Sequence, residues 1–206
     1  MNCLRRLMLF VLSGTLLAGT VTAEETGFVR LFDGATLSGW KALPGGHWEV
    51  ADGAIAGTQE KTEKLHGQLL SEKEYGNFVL RLKFKALEGN SGLYFRATQV
   101  DHAVAVKGFQ AEIDAGGSGV GGLYETLGRA WVVQPTAEQI QKFYKPKEWN
   151  EMSVTAVEGN IRVEVNGVVT ADLKNDTGAR RGRLGLQLHG GQKMQVMFKD
   201  IEIKEL

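Results

Sequence analysis

Three stretches of this chain place chemically versatile side chains on one side of what reads as a β-strand. In a strand, residues two apart share a face. Gly108-Phe-Gln-Ala-Glu-Ile-Asp114 therefore sets Gln110, Glu112 and Asp114 against Phe109, Ala111 and Ile113. Ser91-Gly-Leu-Tyr-Phe-Arg96 sets Tyr94 and Arg96 against Leu93 and Phe95. Arg183-Leu-Gly-Leu-Gln-Leu-His189 sets Gln187 and His189 against Leu184, Leu186 and Leu188. A plain solvated face would carry mainly Lys, Thr, Ser and Glu. These faces offer a guanidinium, two carboxylates, an imidazole, two amides and a phenol, a mixture suited to a polyhydroxylated ligand.

Each residue has a chemical reading and a blander one. Glu112 and Asp114 are neighbours on one face, with Cβ atoms roughly 6–7 Å apart by strand geometry. Such a pair can do acid–base work or bind a metal, or simply form ion pairs on a wet face. Arg96 has the forked donors to grip a ketone, an enolate or two hydroxyls, and it could equally pair with a carboxylate across the sheet. His189, before Gly190-Gly191, is an accessible imidazole or a hydrogen-bonded rim residue. Tyr124 could hold a phenol over the site or pack in the core, and Trp131 could stack on a sugar ring. Trp40, Trp48 and Trp149 read as core, and His47, His66 and His102 as solvated turn residues.

These side chains need a sheet to hold them. Alternating runs are expected as strands at 48–50, 54–57, 68–71, 78–87, 92–98, 109–114, 122–124, 151–158, 160–165, 168–173, 183–188 and 194–205. Turn residues punctuate them, and Asn166-Gly167 between paired valines is the strongest hairpin signal. Only 137–144, after Thr136 as a cap, suits a short helix. The pattern predicts an all-β, single-domain β-sandwich or jelly roll. If apolar faces form its core, the polar faces point outward and can share one groove, provided their strands lie in one sheet. The glycine-rich stretch 116–122 lacks the Lys and following helix of a phosphate loop, so it is expected as a mobile loop at the groove rim. The chain shows no serine nucleophile elbow and no Cys/His zinc spacing.

The first residues read as a leader. Arg5-Arg6 precede an apolar stretch, and Val21-Thr-Ala23 places small residues before Glu24. This predicts a secretory signal peptide cleaved after Ala23, and a secreted or periplasmic destination. The apolar stretch is short for a bilayer span. Cys3 is the only cysteine, so the 183 residues that remain have none and must fold on their hydrophobic core. They carry 22 Lys and Arg against 24 Asp and Glu, without a basic stripe, which argues against nucleic acid or a membrane surface as partner.

Five motifs occur in order: 31–40 (LFDGATLSGW), 48–53 (WEVADG), 89–96 (GNSGLYFR), 108–114 (GFQAEID) and 185–190 (GLQLHG). Together they resemble the 3-keto-disaccharide hydrolase domain family over nearly all of the chain after the leader. The resemblance implies a concanavalin-like jelly roll, export from a bacterium, and action on glycosides oxidised at C3. Carried over by position, it points to Arg96, to Gln110, Glu112 and Asp114, and to His189 as groove residues. Many members carry Glu-x-Gln on this strand, whereas this chain has Gln110-x-Glu112.

The 3-keto chemistry suits these residues. A ketone at C3 acidifies the hydrogen at C2, and its removal lets the C1 substituent depart. The demands are a base, an enolate stabiliser and a proton donor to the leaving oxygen. His189 or Glu112 could be the base, Arg96 the stabiliser, and Tyr124 or Asp114 the donor. Tyr94, Gln110, Trp131 and Gln187 would bind the sugar. A divalent cation held by Glu112, Asp114 and His189 could replace Arg96. A non-catalytic carbohydrate-binding module would use the same groove. A laminarinase-type glycosidase would need a Glu at position 117, which is Gly.

Overall fold

The computed structural model describes residues 27–206; the expected leader, 1–23, lies outside them. In chain order the strands begin with β1 (Val29–Arg30), β2 (Trp40–Ala42), β3 (His47–Ala51), β4 (Ala54–Gln59) and β5 (Gly67–Tyr75). They continue through β6 (Phe78–Glu88), β7 (Asn90–Gln99), β8 (Val106–Asp114), β9 (Leu123–Thr126) and β10 (Ala130–Val133). After the short helix α1 (Ala137–Ile140) come β11 (Asn150–Val157), β12 (Asn160–Val165), β13 (Val168–Leu173), β14 (Gly182–Leu188) and β15 (Met194–Glu205).

These strands make two antiparallel sheets. One runs β13-β12-β11-β6-β15-β4-β3, with β1 added on β15; the other runs β10-β9-β8-β7-β14-β5-β2. Alternation explains the packing. Phe78, Leu80, Leu82 and Phe84 of β6 point inward from the first sheet, and meet Phe95, Phe109, Ile113 and Leu186 of the second. Each such side chain contributes about 1.5–3 kcal/mol by leaving water. A β-sandwich without a cysteine is thereby held by its core.

All twelve expected strands are present, three of them with the expected bounds (160–165, 168–173 and 194–205). β1, β2 and β10 were not anticipated; they are two to four residues long, too short to show alternation. The helix keeps only its first turn. Thr136 accepts from the Gln139 backbone N–H, and the Gln139 side chain accepts from the Thr136 N–H. Such a capping box satisfies two donors that the helix leaves open.

β8, β7 and β14 are adjacent, so the three polar faces do lie side by side. One irregularity interrupts them. Phe95 pairs with Phe109, but the next partners are Thr98 and Lys107, so β7 spends one residue more than β8. This β-bulge falls at Arg96, whose φ is 49°. Ala97 takes over the outward face, joining Leu43, Leu70, Tyr94 and Val106 in a small second apolar cluster.

Candidate functional site

The outward face of the second sheet holds a groove of about 480 Å³. Glu112, Asp114, His189, Tyr94, Gln110 and Gln187 line it, as strand parity predicts, and Tyr124 and Trp131 line it too. Arg96 does not. Its Nε donates to the Gly76 carbonyl at 3.0 Å, and its Nη1 to those of Glu158 at 2.7 Å and Ala179 at 3.3 Å. The extra residue of the bulge turns this side chain out of the polar row. Arg96 is a buried clamp on three connecting loops, a correction to the enolate-binding role expected from parity.

The floor of the groove is a row of amides crossing three strands. Gln110 starts on β8 and lies over Gly92 of β7, where a Cβ would collide with its side-chain amide. It thereby reaches Gln187 on β14. Gln110 Nε2 donates to the Ser91 carbonyl at 3.3 Å and to Glu112 Oε2 at 2.9 Å, and faces Gln187 Oε1 at 3.3 Å. Gln187 Nε2 donates to the Tyr94 hydroxyl at 3.0 Å and lies 3.2 Å from His66 Nδ1. Tyr94 and Thr126 hydroxyls are 2.9 Å apart, and Thr126 returns to Gln110 Oε1 at 3.5 Å. The ring closes on itself, so each amide has one orientation. Burial also raises the Tyr94 pKa, keeping it a phenol.

Glu112 sits at the edge of this floor. Its second oxygen accepts from the Asn90 amide. Only 6% of the residue is exposed, and burial is the main reason its pKa is pushed up to about 8. The charge on Asp114 adds to the rise, while hydrogen bonds from Asn90 and Gln110 oppose it. A carboxyl near neutrality is poised to exchange a proton at ordinary pH. Asp114 is placed differently. Its Oδ1 accepts from the Gly116 N–H at 2.8 Å and the Ser118 N–H at 3.2 Å, so it anchors the rim loop.

That loop is fastened on several sides. Gly121 N–H bonds the Glu112 carbonyl at 2.9 Å, and Glu112 N–H bonds that of Gly122 at 3.0 Å. Trp131 packs over it closely enough that a Cβ at Gly122 would meet the indole at 2.8 Å. The loop expected to be mobile is hydrogen-bonded to β8 at Asp114 and Glu112. Tyr124 and Trp131 face each other across the β9–β10 hairpin, with ring centroids 5.3 Å apart and planes nearly perpendicular. Trp131 is 37% exposed, leaving indole surface available to a ring-shaped ligand.

The opposite wall holds two histidines. The rings of His66 and His189 lie 4.3 Å apart. His189 Nδ1 is 2.8 Å from the Gly190 carbonyl, which can only accept; in the neutral ring Nδ1 carries the hydrogen and Nε2 is left as an acceptor. His66 is half-buried, contrary to its expected solvated position. Burial, then the neighbouring His189 and His102, pull its pKa down to about 4. The signal was β5 beginning at Gly67, which brings His66 beside the outward Gln68 face. Asn90 was also missed, although it shares parity with Tyr94 two pairs along β7. Of the tryptophans read as core, Trp40 and Trp48 are buried, whereas Trp149 lies half-buried under Lys85 and Lys199.

Among the described residues, no three His, Cys, Asp or Glu side chains come together as a metal site. The cation set of Glu112, Asp114 and His189 is thus not assembled. Their inner donor atoms are turned to Asn90, Gln110, the rim-loop N–H groups and the Gly190 carbonyl.

Residues 27–204 match the model of the 3-keto-alpha-glucoside-1,2-lyase-like domain. The chain belongs to this family. No curated protein sequence matches it. Among solved structures, a candidate glycosyl hydrolase from Parabacteroides distasonis ATCC 8503 is similar, with a TM-score of 0.65 and 22% identity over 87% of this chain and 94% of that one. The carbohydrate-binding module CBM66 from Bacillus subtilis has a TM-score of 0.62 and 14% identity, over 81% and 96% respectively. A Bacillus subtilis protein with a galectin-like fold has a TM-score of 0.64 and 11% identity, over 81% and 89%. At these identities the neighbours share a fold. This member of the lyase-like family is a jelly-roll sandwich, and among its described residues no helix is long and apolar enough to cross a membrane.

Proposed function

We propose that this protein cleaves the glycosidic bond of 3-keto-glycosides, with Glu112 as the base that removes the hydrogen at C2. The observation that carries the reading is a buried carboxyl in a carbohydrate-sized groove, with its pKa raised to about 8. A base is most effective when its pKa lies near the working pH. Membership of the 3-keto-alpha-glucoside-1,2-lyase-like family supports this substrate class.

Glu112 takes the C2 proton, and the electron pair of that bond passes to the oxygen at C3. The pair then returns: C1=C2 forms and the C1–O bond breaks. Tyr124 gives its proton to the departing oxygen. Its hydroxyl has no hydrogen-bond partner among the described residues, which suits a donor held for a ligand. Water adds to C1 of the resulting enone, the Glu112 proton returns to C2, and the water proton restores Tyr124. The net change is hydrolysis to a free 3-keto sugar. Trp131 forms a stacking wall for the sugar, while Gln110, Gln187 and Tyr94 form a fixed floor.

The test is incubation of the mature protein with 3-keto-trehalose, 3-keto-lactose and their unoxidised parents. Sugar release from the keto forms alone is the expected result. Binding of all four without turnover would instead identify a carbohydrate-binding module, the role named for one of the structural neighbours.

A further inference from the structure

We propose that His66 is a further catalytic residue, a neutral imidazole whose Nε2–H donates to the oxygen at C3 as negative charge develops there. The proposal rests on the ketone-dependent reaction above, and it fills the stabilising role that Arg96 is too far buried elsewhere to perform.

The tautomer follows from a chain of directional hydrogen bonds. A backbone carbonyl only accepts, so the Ser91 carbonyl requires Gln110 to present its NH₂ group. The Gln187 atom facing that NH₂ is then the carbonyl Oε1, at 3.3 Å. Its other end is an NH₂ with two hydrogens, one to the Tyr94 hydroxyl and one to His66 Nδ1 at 3.2 Å. Nδ1 of His66 is therefore an acceptor, and the single ring hydrogen of the neutral form sits on Nε2. That nitrogen has no partner among the described residues, and the ring lines the groove.

Three features keep the ring uncharged. It is half-buried, the His189 ring lies 4.3 Å away, and His102 on the loop between β7 and β8 adds a further repulsion. The Ala103 carbonyl of this loop accepts from the His66 backbone N–H at 2.9 Å, so the main chain that carries the imidazole is tied to the loop. A neutral donor needs no counter-anion, and so leaves Glu112, which lines the same groove, free to act as a base. No proton is transferred by His66: the C2 hydrogen goes to Glu112, and the Nε2–H bond to the C3 oxygen only strengthens as charge builds.

Two measurements test this. First, nitrogen-15 NMR of the ligand-free protein should show His66 as the neutral Nε2–H tautomer throughout pH 5.5–9. A ring protonated at pH 6, or hydrogen on Nδ1, would overturn the proposal without any substrate. Second, His66→Phe keeps the ring but not the donor. It should lower kcat on a 3-keto-disaccharide by about 100-fold, the usual cost of losing one such donor, with KM changed much less. His66→Gln restores an N–H donor and should recover at least ~10-fold of that loss. Turnover by His66→Phe within a few-fold of wild type defeats the role of His66 and leaves the reaction standing. A wild-type protein that cleaves no 3-keto-glycoside defeats both. If the Phe variant does not fold, the NMR measurement on wild type decides.

Discussion

Gln110 crosses the backbone of Gly92, and this one crossing connects β8 to β14 through the amide of Gln187. Any side chain at position 92 would occupy the space through which Gln110 passes. Gly92→Ala should therefore displace the amide, break the chain to His66 and lower turnover at least ~10-fold. The disturbance is on the outward face of the sheet, so circular dichroism should remain that of a β-sandwich. Full activity in the alanine variant would mean that the chain of amides has no part in the reaction.

Glu112→Gln should lower cleavage of a 3-keto-disaccharide by about 100-fold, the usual size of an acid–base contribution. In the wild type, kcat should rise with pH through about 8, as the buried carboxyl ionises. A rate that falls through the same range would make Glu112 an acid in the reaction.

The same carboxyl links stability to pH. Its pKa is about 8 in the fold and 4.5 as the ordinary value, so between these limits the folded protein holds a proton that the unfolded chain has lost. The stability tied to this group is complete below about pH 4.5 and is lost as pH rises through 8. Glu112→Gln does not titrate, so its melting temperature should gain on wild type between pH 4 and 9. Parallel melting curves across that range would contradict a buried, raised carboxyl.

Arg96→Lys separates structure from catalysis. Lysine cannot reproduce the forked contacts to Gly76, Glu158 and Ala179, and should cost about 1–3 kcal/mol of stability. At a temperature well below melting, kcat should stay within a few-fold of wild type. A fold as stable as wild type with a large loss of kcat would return Arg96 to the site.

Export remains a proposal of its own, because the leader lies outside the described residues. Intact mass of the protein recovered from outside the cytoplasm should begin at Glu24 and be unchanged by reductant. A retained Met1 in a membrane fraction would contradict cleavage after Ala23.

Period-two alternation was enough to place Gln110, Glu112, Tyr94 and Gln187 on one outward face, and the Asn166-Gly167 turn with its two strands. Side-chain direction in a regular strand depends only on position along it, so such facts can be read locally. Arg96 shows where this stops. One extra residue in β7 reverses the direction of every side chain beyond it, and nothing in the local run of residues announces the insertion. Sheet order is likewise set by contacts between distant segments. Only the folded chain brings β8, β7 and β14 together, sets the His66 ring against that of His189, and buries Glu112 deeply enough to move its pKa. Those are consequences of desolvation and long-range packing, which the spacing of residues along a chain does not contain.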